Sequence, residues 1–236
     1  MIIAATADIH APLGFRTFVR SLDNLKVEPD LFLIAGDLIH KGQVGEMKKI
    51  SNALFGRISC PIVCCFGNNE YVTQRDEIVK EFKNFAFLED EIFEAKIKEK
   101  NVSILGTQGS LDRPTPWQRS NFPDIENVYR ERIALISDFL ASTKADFKIL
   151  LIHYPPTYKV MRDEDSTNFQ YLGTNKLEDI LIEGKPNIVV TGHVHSGKRM
   201  AWVDSIPVFN VGLKLNQGIV VINTEELKPG LGKFLT

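Results

Sequence analysis

Neither sign of charge is in excess: 28 Lys and Arg stand against 30 Asp and Glu, a formal net charge of −2. Sequence-independent nucleic-acid binders gain affinity by neutralising phosphates and usually carry a basic surplus. The balance therefore argues against strong non-specific nucleic-acid binding. Cysteine is scarce, with three residues at Cys60, Cys64 and Cys65. An odd number so closely packed is no disulfide framework. Cys64 and Cys65 lie in the apolar run 62–66 and read as buried free thiols, which suits a reducing compartment. No apolar run approaches the roughly 18 residues of a membrane helix. The N-terminus lacks the basic start and long apolar stretch of a secretory leader. A cytoplasmic protein without a membrane partner is expected. No linker, charge block, repeat or low-complexity tract divides the chain, which reads as one domain over residues 1–236.

What is present is an ordinary globular mixture, 44% hydrophobic and 25% charged over 236 residues. A chain of this size buries about 70–75% of its unfolded surface and needs no staples. Short apolar runs at 2–6, 31–35 and 62–66 read as buried strands. Each is followed by apolar residues at helical spacing: Phe15, Phe18, Val19, Leu22 and Leu25; Val44, Met47, Ile50 and Leu54; Ile78, Val79 and Phe82. That alternation predicts parallel strands covered by helices, an α/β fold. Runs 92–97 and 102–105 predict an antiparallel hairpin. A long helix is expected from Ile125, Val128, Ile133, Ile136, Phe139 and Leu140, with Asp124 at its start. Further strands are expected at 148–152 and 188–191, with a helix at 174–183 between them. Runs 200–203, 207–211 and 219–222 read as a closing antiparallel meander. Residues 110–123 and 155–173 read as long irregular loops, a length usually tied to function.

The chemistry collects at strand ends. Asp8 and His10 follow the first strand, Gly36 and Asp37 the second, and Gly67, Asn68, Asn69 and Glu70 the third. His153 follows run 148–152, and Gly192, His193 and His195 follow run 188–191. In open α/β sheets ligand sites lie beyond the carboxyl ends of the strands. Carboxylates, an amide oxygen and neutral imidazoles together suit divalent transition metals such as Zn, Fe, Mn or Ni. On an extended segment, alternate imidazoles face the same side. The donor count exceeds the needs of one ion and fits a pair about 3.5–4 Å apart, which generates hydroxide and clamps the oxygens of a phosphoryl group.

The motifs Asp8-Ile9-His10, Gly36-Asp37, Gly67-Asn68-Asn69-Glu70, His153 and Gly192-His193-Val194-His195 together resemble the signature of the calcineurin-like metallophosphoesterases. The resemblance spans most of the chain. It implies a four-layer α/β/β/α sandwich with two mixed sheets. It also implies one metal at Asp8, His10, Asp37 and His195, and a second at Asp37, Asn68, His153 and His193, with Asp37 bridging and manganese the favoured ion. The activity implied is hydrolysis of a small or nucleotide-like phosphoester by a hydroxide held between the metals, with Asn68 and Asn69 as the catalytic asparagines.

One position departs from the family. Asn69 stands where most members have a histidine that contacts the phosphate or protonates the leaving oxygen. An amide can donate a hydrogen bond but is no acid near neutral pH. The departure favours a phosphodiesterase over a phosphatase. Glu70 would orient that histidine or bond around its own turn. His40 is open to a packing role or a substrate contact. Arg113, Trp117, Arg119, Phe122, Tyr158, Lys159, Arg162, Phe169 and Tyr171 could stack on a base and pair with phosphate, or be local packing. Two other readings stand beside the diesterase: an interaction scaffold with reduced catalysis, and a phosphomonoesterase or nuclease of the same superfamily. A scaffold has no need of four site histidines, and a nuclease usually adds DNA-binding segments. The sequence leaves room for an oligomer.

Overall fold

Two-residue alternation along the buried strands sorts their side chains into layers. In the computed structural model, which describes residues 1–161 and 165–227, the first strand β1 (Ile2–Thr6) turns Ile3 and Ala5 to one face and Ala4 to the other. β2 (Leu31–Ala35) and β3 (Ile62–Cys65) repeat this, with Leu31, Leu33, Val63 and Cys65 on the first face and Phe32, Ile34, Ile62 and Cys64 on the second. The second face packs against α1 (Phe15–Asp23), α2 (Met47–Leu54) and α3 (Val72–Glu81), through Phe18, Leu22, Met47, Ile50 and Ile78.

The first face meets another sheet. Val102, Ile104, Ile149, Leu151, Ile188 and Val190 join the same cluster as Ile3, Leu33 and Val63. They come from β6 (Lys100–Thr107), β7 (Phe147–Ile152) and β8 (Ile188–Thr191). The outer side of that second sheet, with Leu105, Leu150, Ile152 and Val189, packs on α5 (Ile125–Ser142) and α7 (Glu178–Gly184). The order is helices, sheet, sheet, helices, the expected four layers.

The first sheet runs β11-β1-β2-β3-β4, with β4 (Ala86–Leu88) and β11 (Val220–Asn223) at its edges. The second runs β5-β6-β7-β8-β10-β9, adding β5 (Glu91–Ile97), β9 (Met200–Val203) and β10 (Ile206–Asn210). Both are mixed. β1, β2, β3 and β4 are parallel, and β11 is antiparallel to β1. β6, β7, β8 and β10 are parallel, with β5 and β9 antiparallel at the edges. The expected 92–105 hairpin is present as β5 and β6.

Three expectations need correction. The closing strands form no meander: β10 returns beside β8 in parallel, and β11 crosses to the other sheet. Residues 110–123 are not irregular throughout. Pro116–Asn121 form a short helix, α4, capped by Thr115, whose hydroxyl accepts the Gln118 N–H while the Gln118 side chain returns to the Thr115 N–H. Segment 155–173 likewise holds 3-10 turns and α6 (Phe169–Leu172). The two segments are stitched together at Asp112. Its carboxylate accepts bonds from Tyr158 Oη, Thr174 Oγ1 (2.6 Å) and the Asn175 N–H (3.2 Å). After β10 a further short helix, α8 (Leu213–Asn216), leads to β11.

Candidate metal centre

The carboxyl ends of β1, β2, β3, β7 and β8 point to one edge, and each delivers a ligand-type residue there. Four of these, Asp8, His10, Asp37 and His193, have left-handed backbone with φ of 56°, 45°, 54° and 70°. Residues other than glycine avoid that region, and such strain persists only where surroundings enforce it. The enforcement is visible. The Asp8 N–H bonds to Gly36 O and the His10 N–H to Asp37 O, so the turns after β1 and β2 brace each other. Both oxygens of the buried Asp8 carboxylate accept the His193 N–H, at 3.0 and 2.9 Å. Buried Glu70 binds three backbone donors: Gly67 at 2.8 Å, Asp37 at 3.0 Å and Ile39 at 3.0 Å. Of its two expected roles, Glu70 therefore bonds around the turn. Gly67 is needed for close approach, because a Cβ there would lie 2.1 Å from Asp37 Oδ1.

Two donor groups result. Asp8, His10 and His195 place ligand atoms together, as do Asp37, His153 and His193. They meet at Asp37 Oδ2, which is 3.6 Å from His10 Nε2 and 3.6 Å from His153 Nε2. Asn68 joins the second group, with Oδ1 3.1 Å from His153 Nε2. All the sequence-predicted ligands are thus brought together.

The chemistry of the donors fits cations. His153 Nδ1 donates to Ala35 O at 2.8 Å, which leaves an Nε2 lone pair facing the amide oxygen of Asn68. An imidazole lone pair beside an amide oxygen suits a shared cation. Burial keeps His10 and His193 neutral, with pKa values near 4 and 3, and also lowers His153. Neutral imidazoles are what a metal requires. Burial, and then the charge of Asp8, push Asp37 up to about 7. For Asp8 the burial penalty is outweighed by the pairing with His195, whose Nε2 lies 3.6 Å from Asp8 Oδ1, and by the neighbouring imidazoles, and its pKa is lowered. His195 is raised by that same pairing.

The remaining candidates are distributed around this centre. Asn69 turns onto Asp37, donating from Nδ2 to Oδ2 at 2.7 Å. The His40 ring stands edge-on to His10, with centroids 6.0 Å apart. Arg113 lies over the Tyr171 ring, Tyr158 packs on Phe169, and Trp117 packs on Phe122. Trp117 is 62% exposed. Lys159 and Arg119 are paired with Glu178 and Glu126. Arg162 lies outside the described residues.

A buried chain was not foreseen. Arg75 donates to the Glu70 and Gly67 carbonyls and to Gln108 Oε1. Gln108 donates to Tyr154 Oη at 3.1 Å, and Gln118 of α4 donates to the same oxygen at 3.4 Å. The Tyr154 ring stands 4.8 Å from that of His193. This places α4 close behind the second donor group. A polar residue whose partners are this far apart in sequence gives no local signal.

Comparison with known proteins identifies the family. A family model described as calcineurin-like phosphoesterase matches residues 1–197. A probable glycerophosphodiester phosphodiesterase of Arcobacter nitrofigilis is 25% identical over 199 residues, 83% of this chain and 66% of the relative. This chain therefore spans just under two thirds of that relative's length. A putative 5'-nucleotidase from Staphylococcus aureus superposes with a TM-score of 0.62 at 13% identity, over 94% of this chain and 50% of that one. The purple acid phosphatase of yellow lupin seeds gives 0.58 at 14% identity, over 91% and 44%. The likeness to these two structures is one of fold. The chain belongs to the calcineurin-like phosphoesterase family.

Proposed function

We propose that this calcineurin-like phosphoesterase hydrolyses phosphodiesters of small or nucleotide-like substrates with two divalent metal ions. Asp8, His10 and His195 would hold one ion, and Asn68, His153 and His193 the other, with Asp37 shared. The observation that carries this reading is the position of Asp37 Oδ2, equally far from an imidazole of each donor group. A bound pair of such ions supplies Lewis acidity toward phosphoryl oxygens and activates water at neutral pH. Manganese is the first ion to test.

The chain's own residues have separate tasks. Asp8 holds the His193 backbone, Ala35 O fixes the His153 tautomer, and Glu70 holds the turns after β2 and β3. These contacts keep the donors in place without rearrangement. Asn69 supplies no acid for the leaving oxygen. General acid help typically contributes 10²–10⁴-fold, most with poor leaving groups. Diesters with good leaving groups are therefore the preferred substrates, and the name of the Arcobacter relative points the same way. The complete ligand set weighs against a scaffold that has shed catalysis. We read the chain as one domain.

The test is a panel of bis(4-nitrophenyl) phosphate, 4-nitrophenyl phosphate and an alkyl phosphomonoester with manganese-loaded protein. Faster turnover of the diester supports the reading. Faster turnover of the monoesters would make the protein a phosphatase.

A further inference from the structure

The turn that follows β2 is an improbable piece of backbone. Asp37, Lys41 and Gly42 all have positive φ, at 54°, 46° and 68°, and Gly36 before them has 82°. Two of these residues carry side chains that disfavour this region, so the turn needs a brace from outside.

Asn69, half-buried at the end of β3, spans it. Its backbone N–H donates to Asp37 Oδ1 at 2.8 Å, and its side-chain Nδ2 donates to Asp37 Oδ2 at 2.7 Å. Its Oδ1 accepts the Lys41 N–H at 3.0 Å, and its carbonyl accepts the Gly42 N–H at 2.8 Å. One residue thus grips both ends of the turn and both oxygens of the carboxylate shared between the donor groups. An ionised carboxylate offers about four lone-pair sites, and Asn69 occupies two of them, leaving about two for cations. Asparagine suits the position because its short side chain carries a donor and an acceptor together. Aspartate would set oxygen against oxygen.

We infer that Asn69 is a positioning residue: it braces the turn from Asp37 to Gly42 and orients the Asp37 carboxylate for two metal ions, rather than contacting the substrate. The inference rests on the two-metal reading proposed above.

Calorimetric titration of the full chain with Mn²⁺, followed by titration of the Mn²⁺-saturated protein with inorganic phosphate, tests it. For Asn69→Ala the expected result is an affinity loss of about 10–100-fold for at least one ion, the usual effect of removing a group that orients a metal ligand. Phosphate affinity under saturating Mn²⁺ is expected to stay within about threefold of wild type, since the ions bear most of the attraction to phosphate. Wild-type Mn²⁺ affinity in the variant overturns the inference, as does an unchanged metal affinity joined to a large loss of phosphate binding. If Asn69→Ala does not fold, Asn69→Ser replaces it, because a hydroxyl keeps the turn polar yet cannot make both side-chain bonds. A loss of at least fivefold in Mn²⁺ affinity is then expected, and wild-type affinity again overturns the inference. Fewer than two ions bound by the wild-type protein would be a failure of the two-metal reading, visible before any variant is measured.

Discussion

His10 and His195 lie 185 positions apart in sequence, yet their Nε2 atoms are 3.3 Å apart. In the two-ion centre proposed above, these two nitrogens serve one ion and Asp37 links it to the other. His10→Ala is expected to lower bound metal from two ions to one, while Asp37→Asn weakens both. Elemental analysis after loading and desalting gives the stoichiometry. Equal losses from the two substitutions would show that Asp37 is not shared.

Metal binding is expected to release protons in a pH-dependent way. Burial and the charge of Asp8 raise Asp37 to about 7, and the pairing with Asp8 raises His195. His10 and His193 are already neutral near pH 7 and release none. Below pH 7 Asp37 holds a proton that a cation must displace, so affinity falls as pH falls. Calorimetry in buffers of different ionisation enthalpy should find about one proton or more released per chain at pH 6 and fewer at pH 8.5. No buffer dependence at pH 6 would contradict this.

Gly67→Ala is expected to disable the centre. Its new Cβ would sit 2.1 Å from Asp37 Oδ1, so the carboxylate or the backbone must move. Overpacking of this kind costs about 1–3 kcal/mol, and here the strain falls on a metal ligand. A lowered Tm with metal content below two ions per chain is the expected result. Full loading at the wild-type Tm would mean that the turn adapts freely.

The two stitched segments are expected to govern substrate size. Trp117 on α4 is exposed, while Gln118 beside it reaches Tyr154 behind His193. Trp117→Ala should raise KM for a nucleotide-like diester about three- to tenfold, the worth of an aromatic contact of ~0.5–1.5 kcal/mol. KM for a small nitrophenyl diester and the metal content should not change. Equal effects on both substrates would point to a folding role.

Much of this was legible in the sequence because burial leaves a strong pattern. β1, β2 and β8 are short apolar runs, and the residues immediately beyond them carry the donors. β4 is apolar too, but at three residues, shortly after α3, it is too short to be told from the end of a helix. The crossing of β11 to β1 depends on a partner more than 200 positions away, paired as Ile2 with Asn223. The positive φ of Asp8, His10, Asp37 and His193 has no clear local signature, since Asp and His enter this region more often than most residues but still rarely. The Glu70 cradle and the Arg75–Gln108–Tyr154 chain were hidden for the same reason: each polar group is explained only by where distant backbone ends up.

The most direct measurement is hydrolysis of bis(4-nitrophenyl) phosphate by metal-stripped protein titrated with Mn²⁺. A two-ion phosphodiesterase gives little activity over the first equivalent and saturates near the second. Saturation at one equivalent, or no diester hydrolysis with two ions bound, would contradict the account.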